Sequence, residues 1–485
     1  MSEEQVQASL TRREMLGRVA AYAGIVMAQP IRASGRRVQI FDVAKYGAVG
    51  DGKALDTAAI QRAIDEAAAY AGKAQVLLRG GKSYLSGTLE LKGAIDFHLA
   101  DDAQLLASLR REDYLGGRAS AANADKMGAM TDALIVAHGA EGLKISGTGT
   151  LQGRAREFMT GYDKENEFWM PKDWRPKMFV LTSCRELEVR EITFAEAPNW
   201  GLHLLGCDGV LVDNVKVRNL LDVPNCDGID PDHSRNVEIS NCNIVSGDDG
   251  IVVKASRQAV DYGPSANIRV RDCVIETQDA GLKIGTETTS DIHDVSFERC
   301  KINTSSRGLC IQLRDEGNVY NINFKEITFE SRYFSDIWWG RGEAISLTAI
   351  PRLPETKLGA MHDITVQNVT GRAENSVRVR GCEASRPRNI MLDRVDLTLD
   401  RWTKYKGGVY DNRPTTAMPG IETHKTDGYS IENADEVKLR NCRLKWGANC
   451  PEYFGNAVQT RNVTGMKVEG FMGGDADPRR TKGDS

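Results

Sequence analysis

From Leu187 to Ile322 the chain runs as short segments in which apolar and polar residues alternate, divided by Gly, Asn and Asp. The apolar anchors of these segments, Leu187, Val210, Val237, Ile268, Val295 and Ile322, recur at spacings of 23, 27, 31, 27 and 27 residues. Period-two alternation predicts strands, and a repeat of twenty to thirty residues with no long amphipathic helix between strands predicts a parallel β-helix rather than an α/β fold. Equal positions on consecutive coils then stack as columns about 4.8 Å apart. Similar segments begin near Gln75. They persist more loosely beyond Glu330 in M-H-D-I-T-V-Q-N-V, N-I-M-L-D-R-V-D-L and E-V-K-L-R-N-C-R-L. Ahead of the repeats, Asp56 and Thr57 are expected to N-cap a helix with the apolar stripe Ala59, Ile60, Ala63, Ile64, Ala67 and Ala68. Such a helix would close the open end of the solenoid. Only the region around Arg110–Met130 reads as a long irregular excursion.

A second register carries the chemistry. Gly228, Gly250, Gly281 and Gly308 recur at 22, 31 and 27 residues, each opening a G-[IL]-x-[IVP] strand. Aligning them stacks Asp227 on Asp249, then Ala280 and Arg307. The preceding column reads Cys226, Asp248, Asp279 and Ser306. Ile229/Pro231, Ile251/Val253, Leu282/Ile284 and Leu309/Ile311 form an inward apolar face. Asp230/Asp232, Val252/Lys254, Lys283/Gly285 and Cys310/Gln312 are expected to face outward. Strict alternation would send Asp248 and Asp249 to opposite sides, so both reach one surface only if the backbone bulges or turns at Gly247–Gly250. Three acids on adjacent coils suit glycosidic hydrolysis, which needs one protonated carboxyl and one carboxylate. Crowded carboxyls supply both, because they cannot all ionise freely. Turn chemistry at D-G corners and a calcium site are the competing readings of the same residues.

Composition fits a large soluble domain: 485 residues, 41% hydrophobic, net charge −4. The faint acidity points to neither nucleic acid nor an anionic membrane as partner. The 47 glycines suit a fold with many positive-φ corners. Residues 1–33, with T-R-R-E-M-L-G before an apolar stretch, resemble a twin-arginine export signal. This implies a periplasmic or extracellular protein. No other run approaches a membrane span. Cys242, Cys273, Cys300 and Cys442 each end a short apolar strand, which favours buried free thiols over a disulfide framework. One domain is expected over residues 38–470, with a polar tail over 471–485.

The block N-C-D-G-I-D-P-D-H-S-R-N-V-E-I-S-N-C-N-I-V-S-G-D-D-G-I-V-V-K, Asn225 to Lys254, resembles the core signature of glycoside hydrolase family 28, the polygalacturonase family. R-P-K-M-F-V-L-T-S-C and A-P-N-W-G-L-H upstream are similar to that family as well. The resemblance implies an all-β, single-domain right-handed parallel β-helix, a pectin-lyase-like solenoid with an N-terminal capping helix. It further implies an inverting hydrolase of a pectin-like poly- or oligosaccharide, monomeric and without cofactor or metal. Asp248 would be the general acid, with Asp227 and Asp249 activating water across about 6.5–9.5 Å.

Two departures from the family pattern are visible. Asp279-Ala280-Gly281 stands where the family carries Gly-His-Gly, and Cys310-Ile311-Gln312 stands where it carries Arg-Ile-Lys. Asn225, Lys254, Lys283 and Arg314 are therefore candidate substrate contacts. Trp339 and Arg341 of the W-W-G-R-G-E-A-I loop join them, since an aromatic loop beside a cleft can stack on sugar rings. His203 reads as structural. A polysaccharide lyase using Lys254 or Lys283 as base, and a non-catalytic glycan-binding β-helix, are the alternatives.

Overall fold

The computed structural model describes residues 38–115 and 132–476, so the export-signal motif and most of the Arg110–Met130 excursion lie outside the described residues. From Val38 onward the chain is one compact unit. It is a right-handed parallel β-helix in which the strands of the central coils pair with the strand three further along, giving three strands per coil there. The anchors stack as the period requires. Leu187 pairs with Val210, Val210 with Val237, Val237 with Ile268, Ile268 with Val295 and Val295 with Ile322. The looser segments continue the same column through Ile364, Ile390 and Val437. Side chains at equal positions therefore meet: Phe297 stacks on Phe324 at 4.9 Å, and His293 on Tyr320 at 4.8 Å.

The corners are made less by glycine than its abundance suggests. Asn214, Asn241, Asp272, Arg299, Glu326, Asn368, Arg394 and Asn441 occupy one corner column, and all have φ between 50° and 56°. Asn and Asp tolerate this left-handed region best, and here they also bond to the neighbouring coil. Asn241 Nδ2, for example, donates to Asp213 Oδ1 at 2.7 Å. The register glycines serve another purpose. Gly228, Gly250, Gly281 and Gly308 are not among the positive-φ positions. A Cβ on Gly250 would lie 2.5 Å from Ile275 Cγ2 and 2.7 Å from Gly281 O. They are glycine because the backbone of the next coil and a packed side chain leave no room.

The helix Thr57–Ala69 caps the N-terminal end and buries Ala59, Ile60, Ala63, Ile64 and Ala67. Its expected cap is corrected: Asp56 makes no side-chain bond to the helix and accepts instead from Val49 N and Gly50 N at 2.7 and 3.0 Å. Thr57 Oγ1 accepts from Gly87 N at 2.9 Å, tying the helix to the first coils. All ten cysteines are free. Cys242, Cys273, Cys300 and Cys442 are buried in a column whose other members include Val215, Ile327, Val369 and Val395. A thiol there does the work of a valine. At the other end, Phe471 packs edge-on against Tyr429 at 5.6 Å, and Asp475 Oδ1 accepts from Ala457 N. Packing thus extends through the first residues of the segment read as a polar tail.

Two antiparallel hairpins rise off the solenoid, Met159–Asp163 with Phe168–Pro171 and Val409–Asp411 with Ile421–Thr423. With the loop between Ser331 and Glu343, such non-repeating segments cover the columns expected to face solvent. Asp230, Asp232, Val252, Lys254, Lys283, Cys310 and Gln312 do point away from the apolar core, but all are buried.

Two substitutions separate these packing roles. Gly308→Ala, whose methyl would sit 2.6 Å from Ala344 O and 2.8 Å from Phe329, should lose about 1–3 kcal/mol in chemical denaturation. Cys273→Val should stay within about 1.5 kcal/mol of the parent.

Candidate active site

Three consecutive coils build the site. Asp227 precedes the strand Ile229–Asp232, Asp248 and Asp249 precede Ile251–Ala255, and Lys283 lies on Ala280–Thr288. Residues 247–250 form a turn between Asn243–Ser246 and Ile251–Ala255, so strand alternation does not govern them. Within this turn Asp249 N donates to Asp248 Oδ1 at 2.9 Å. Both carboxyls thereby reach the side on which Asp227 lies, and one oxygen of each of the three falls within 4.8 Å of the others. That nearest-oxygen distance is shorter than the separation of about 6.5–9.5 Å expected for an inverting pair. Asn225, in the left-handed region at φ 59°, turns its N–H onto Asp248 Oδ2 at 3.0 Å. Its Oδ1 accepts from Arg175 at 2.9 Å.

Each of two acids is held by a lysine from the next coil. Lys254 Nζ donates to Asp227 Oδ2 at 2.9 Å and lies 3.3 Å from Asp230 Oδ1. Lys283 Nζ donates to both oxygens of Asp249, at 3.0 and 2.7 Å, and stands 3.8 Å from Asp279. Among the described residues no lysine pairs with Asp248, whose carboxyl accepts instead from Asn225 N and Asp249 N. Burial, followed by repulsion from Asp227, Asp279 and Asp249, pushes its carboxyl well above the usual range. Burial also acts upward on Asp227, but the Lys254 ammonium outweighs it and the group ends below its ordinary value. Asp249 lies between: burial, countered by Lys283 and aided by Asp279, sets it at about 7. Burial and the charge of Asp227 raise Asp230 strongly, so it is a neutral acid beneath the site. Burial opposes the charge of Lys254, yet the carboxylates around it, Asp227 first, hold it protonated.

Beneath this layer, His203 sits between Asp232 (Nε2 to Oδ2, 3.0 Å) and Lys177 (Nδ1 to Nζ, 3.3 Å). Burial and the Lys177 charge lower its pKa to about 4, so the ring is neutral. An ionised Asp232 can only accept and an ammonium can only donate, which fixes the proton on Nε2. His203 is thus structural, as the sequence implied. The ammonium groups of Lys177 and Lys254 lie 3.8 and 3.9 Å from the ring centroid of Trp200.

The three acids line a cavity of about 300 Å³ whose walls include Asn225, Lys254, Lys283 and Trp339. Trp338 of the same loop joins Trp339 there, whereas sequence reasoning missed Trp200, Phe168, Asp279 and Glu287 as wall residues. Trp200 stood in the A-P-N-W-G-L-H motif, whereas Phe168 belongs to a hairpin with no repeat signal. Two candidates are corrected. Arg314 is fully buried and held by Thr348 Oγ1 at 3.1 Å and Asn412 O at 3.3 Å, apart from the cavity. Arg341 is also buried; it anchors its own loop through Trp338 O at 2.8 Å and lies 3.4 Å from Asp411. Of the metal-ligating types, Asp227, Asp248 and Asp249 could converge on a cation. Two lysines already supply positive charge to that cluster.

The family described as glycosyl hydrolases family 28 matches residues 97–409. An endo-polygalacturonase of Pectobacterium parmentieri is 25% identical over 355 residues, covering 71% of this chain and 84% of that protein. A probable polygalacturonase of Vitis vinifera is 28% identical over 286 residues, and the match spans about half, 55%, of each chain. Among solved structures, a Thermotoga maritima exopolygalacturonase aligns with TM-score 0.63 and 20% identity over 84% of this chain and 92% of that one. A Yersinia enterocolitica family 28 exopolygalacturonase aligns with TM-score 0.64 and 18% identity over 90% and 78%. These two likenesses concern the fold. Among the described residues no helix is long and apolar enough to cross a membrane.

The charge pattern makes two predictions. Lys254→Met should destabilise the protein by about 3–5 kcal/mol in chemical denaturation, because it leaves Asp227 buried without its partner. Asp249 titrates higher folded than unfolded, so its contribution is complete below about pH 4 and is lost as pH rises toward 7. Melting temperatures measured between pH 4 and 7 should therefore carry a downward component with rising pH. Asp249→Asn should remove it.

Proposed function

This chain belongs to glycosyl hydrolases family 28, and on that premise we propose that it cleaves glycosidic bonds of a pectin-like poly- or oligosaccharide. The observation that carries the reading is three carboxyls with oxygens within 4.8 Å of one another, of which Asp227 and Asp249 are held by lysines and Asp248 is not. Burial and crowding by Asp227, Asp279 and Asp249 favour the protonated form of Asp248, and among the described residues no lysine or arginine pairs with it directly. Asp248 is the general acid, giving that proton to the leaving glycosidic oxygen. Asp227 stays ionised under Lys254 and is the base that takes a proton from water as the water attacks the anomeric carbon. Asp249, held by two bonds from Lys283, orients that water and shares the charge. Asn225 holds Asp248 through its backbone N–H, and Trp339 offers a ring face to the sugar. Export through the twin-arginine motif and action as a monomer complete the proposal.

The acid spacing favours a second reading of the stereochemistry. Oxygens within 4.8 Å of one another come nearer to the separation of about 5–5.5 Å in retaining enzymes, where one carboxylate attacks carbon directly. The anomer first released from substrate, followed by proton NMR, decides between the two. Inversion is expected, and a retained anomer would move Asp227 or Asp249 to the role of nucleophile.

Asp248→Asn, nearly isosteric, should fold and should lower kcat by about 10²–10⁴-fold on any substrate the parent cleaves. Unchanged kcat would remove Asp248 from the chemistry. Products carrying a new ultraviolet-absorbing double bond would identify a lyase instead.

A further inference from the structure

We propose that the sugar unit lying across Asp227, Asp248 and Asp249 is a neutral hexose or deoxyhexose, so that within a pectin-like chain the site selects a unit without a carboxylate. The proposal rests on the glycosidase reading above and deepens it. Its basis is the charge census of the cavity wall. Five carboxyl groups line it, Asp227, Asp248, Asp249, Asp279 and Glu287, against Lys254 and Lys283 alone. Neither lysine has charge to spare. Lys254 Nζ lies 2.9 Å from Asp227 and 4.0 Å from Glu287. Lys283 Nζ lies 2.7 Å from Asp249 and 3.8 Å from Asp279. If Asp248 and Asp249 were both protonated, three lining carboxylates would still face two ammonium groups. A uronate carboxylate entering this space meets unit charges whose repulsion at 4 Å is about 1 kcal/mol in water and several-fold larger where protein excludes solvent.

The neighbouring cations are engaged outside the cavity, Arg307 by pairing with the lining carboxyl Asp279. Arg175 directs Nη1 to the carbonyls of Pro198 and Pro224 and Nη2 to Asn225 Oδ1. Lys177 lies 3.3 Å from His203 Nδ1 and over the Trp200 ring. Arg307 is fully buried, donating to Asp279 Oδ1 at 3.2 Å and standing 3.7 Å from Asp411. None of the three is among the residues lining the cavity. One coil beyond Lys283, Cys310 and Gln312 are buried, and Gln312 Nε2 donates to Arg413 O at 3.1 Å. The segment carrying Arg413 therefore covers that column and opens no cation into the cleft.

What the wall offers instead suits hydroxyl groups and C–H faces. Phe168, Trp200, Ile337, Trp338 and Trp339 line it. Trp338 is 4% exposed, and its indole N–H is buried without an acceptor among the described residues. A sugar hydroxyl or ring oxygen can accept from that indole without bringing charge. A carboxylate could accept there too, but it is repelled by the acids.

The test compares oligogalacturonates with the same oligomers after chemical reduction of every carboxylate to a primary alcohol, so that only charge and the C6 group differ. Binding to the full-length Asp248→Asn protein is measured by calorimetry. The reduced oligomers are expected to bind at least tenfold more tightly, and the deficit of the acidic ones should narrow with added salt and with Glu287→Lys. Equal or tighter binding of the oligogalacturonates overturns the proposal, as does failure of the reduced oligomers to bind. Hydrolysis is read separately with the parent protein. Preferential binding of the reduced oligomers with cleavage of neither set would refute the glycosidase reading while leaving the preference for a neutral sugar in place.

Discussion

Two lysines, each reaching from its own coil to an acid of the coil before it, hold the site together. Lys254 bonds to Asp227 and Lys283 to Asp249, in pairs that are almost wholly buried. Taking four charges out of water is costly, and such pairs are retained only where geometry is good and remaining lone pairs and protons find partners. The parallel β-helix provides that geometry because its strand spacing makes every residue the neighbour of its counterpart one coil on. Asp248, which has no such partner, is left as the group that cannot easily lose its proton. Division of labour among three chemically identical side chains thus follows from which of them the next coil reaches.

The scaffold is rigid where this requires it. Gly228, Gly250 and Gly281 let successive coils approach closely beside the acids, and free cysteines interchange with valine and isoleucine in the core. Beneath the acids, the neutral His203 links Lys177 to Asp232, and Ser256 donates to Asp232 from the following coil. Nothing in this layer touches the cavity alone. It fixes the strand from which Lys254 extends, and so the charge state of Asp227.

Much of this was legible before any coordinates. The anchors from Leu187 to Ile322 and the glycine register predict the stacking, since a solenoid writes its contacts as sequence periods. The turn at Gly247–Gly250 was legible as a necessity, because alternation could not otherwise bring Asp248 and Asp249 together. What covers the columns was not. Arg314 and Arg341 stand beside the columns that carry the acids in sequence, but whether such a residue opens to a cleft depends on segments such as those around Trp338 and Asn412, which carry no repeat. Phe168 reaches the cavity from a hairpin for the same reason. The pairing of Lys254 with Asp227 was likewise invisible, since it runs diagonally between columns and depends on side-chain reach.

The central claim is that Asp248 is a neutral acid beside an ionised Asp227 at neutral pH. Difference infrared spectroscopy with carboxyl-labelled aspartate measures this directly, comparing the parent protein with Asp248→Asn and Asp227→Asn. A protonated carboxyl component at pH 7, beyond those of Asp230 and Asp249, is expected to be lost in Asp248→Asn and to survive in Asp227→Asn. A parent spectrum with no protonated band assignable to Asp248, or one lost only with Asp227, would contradict it.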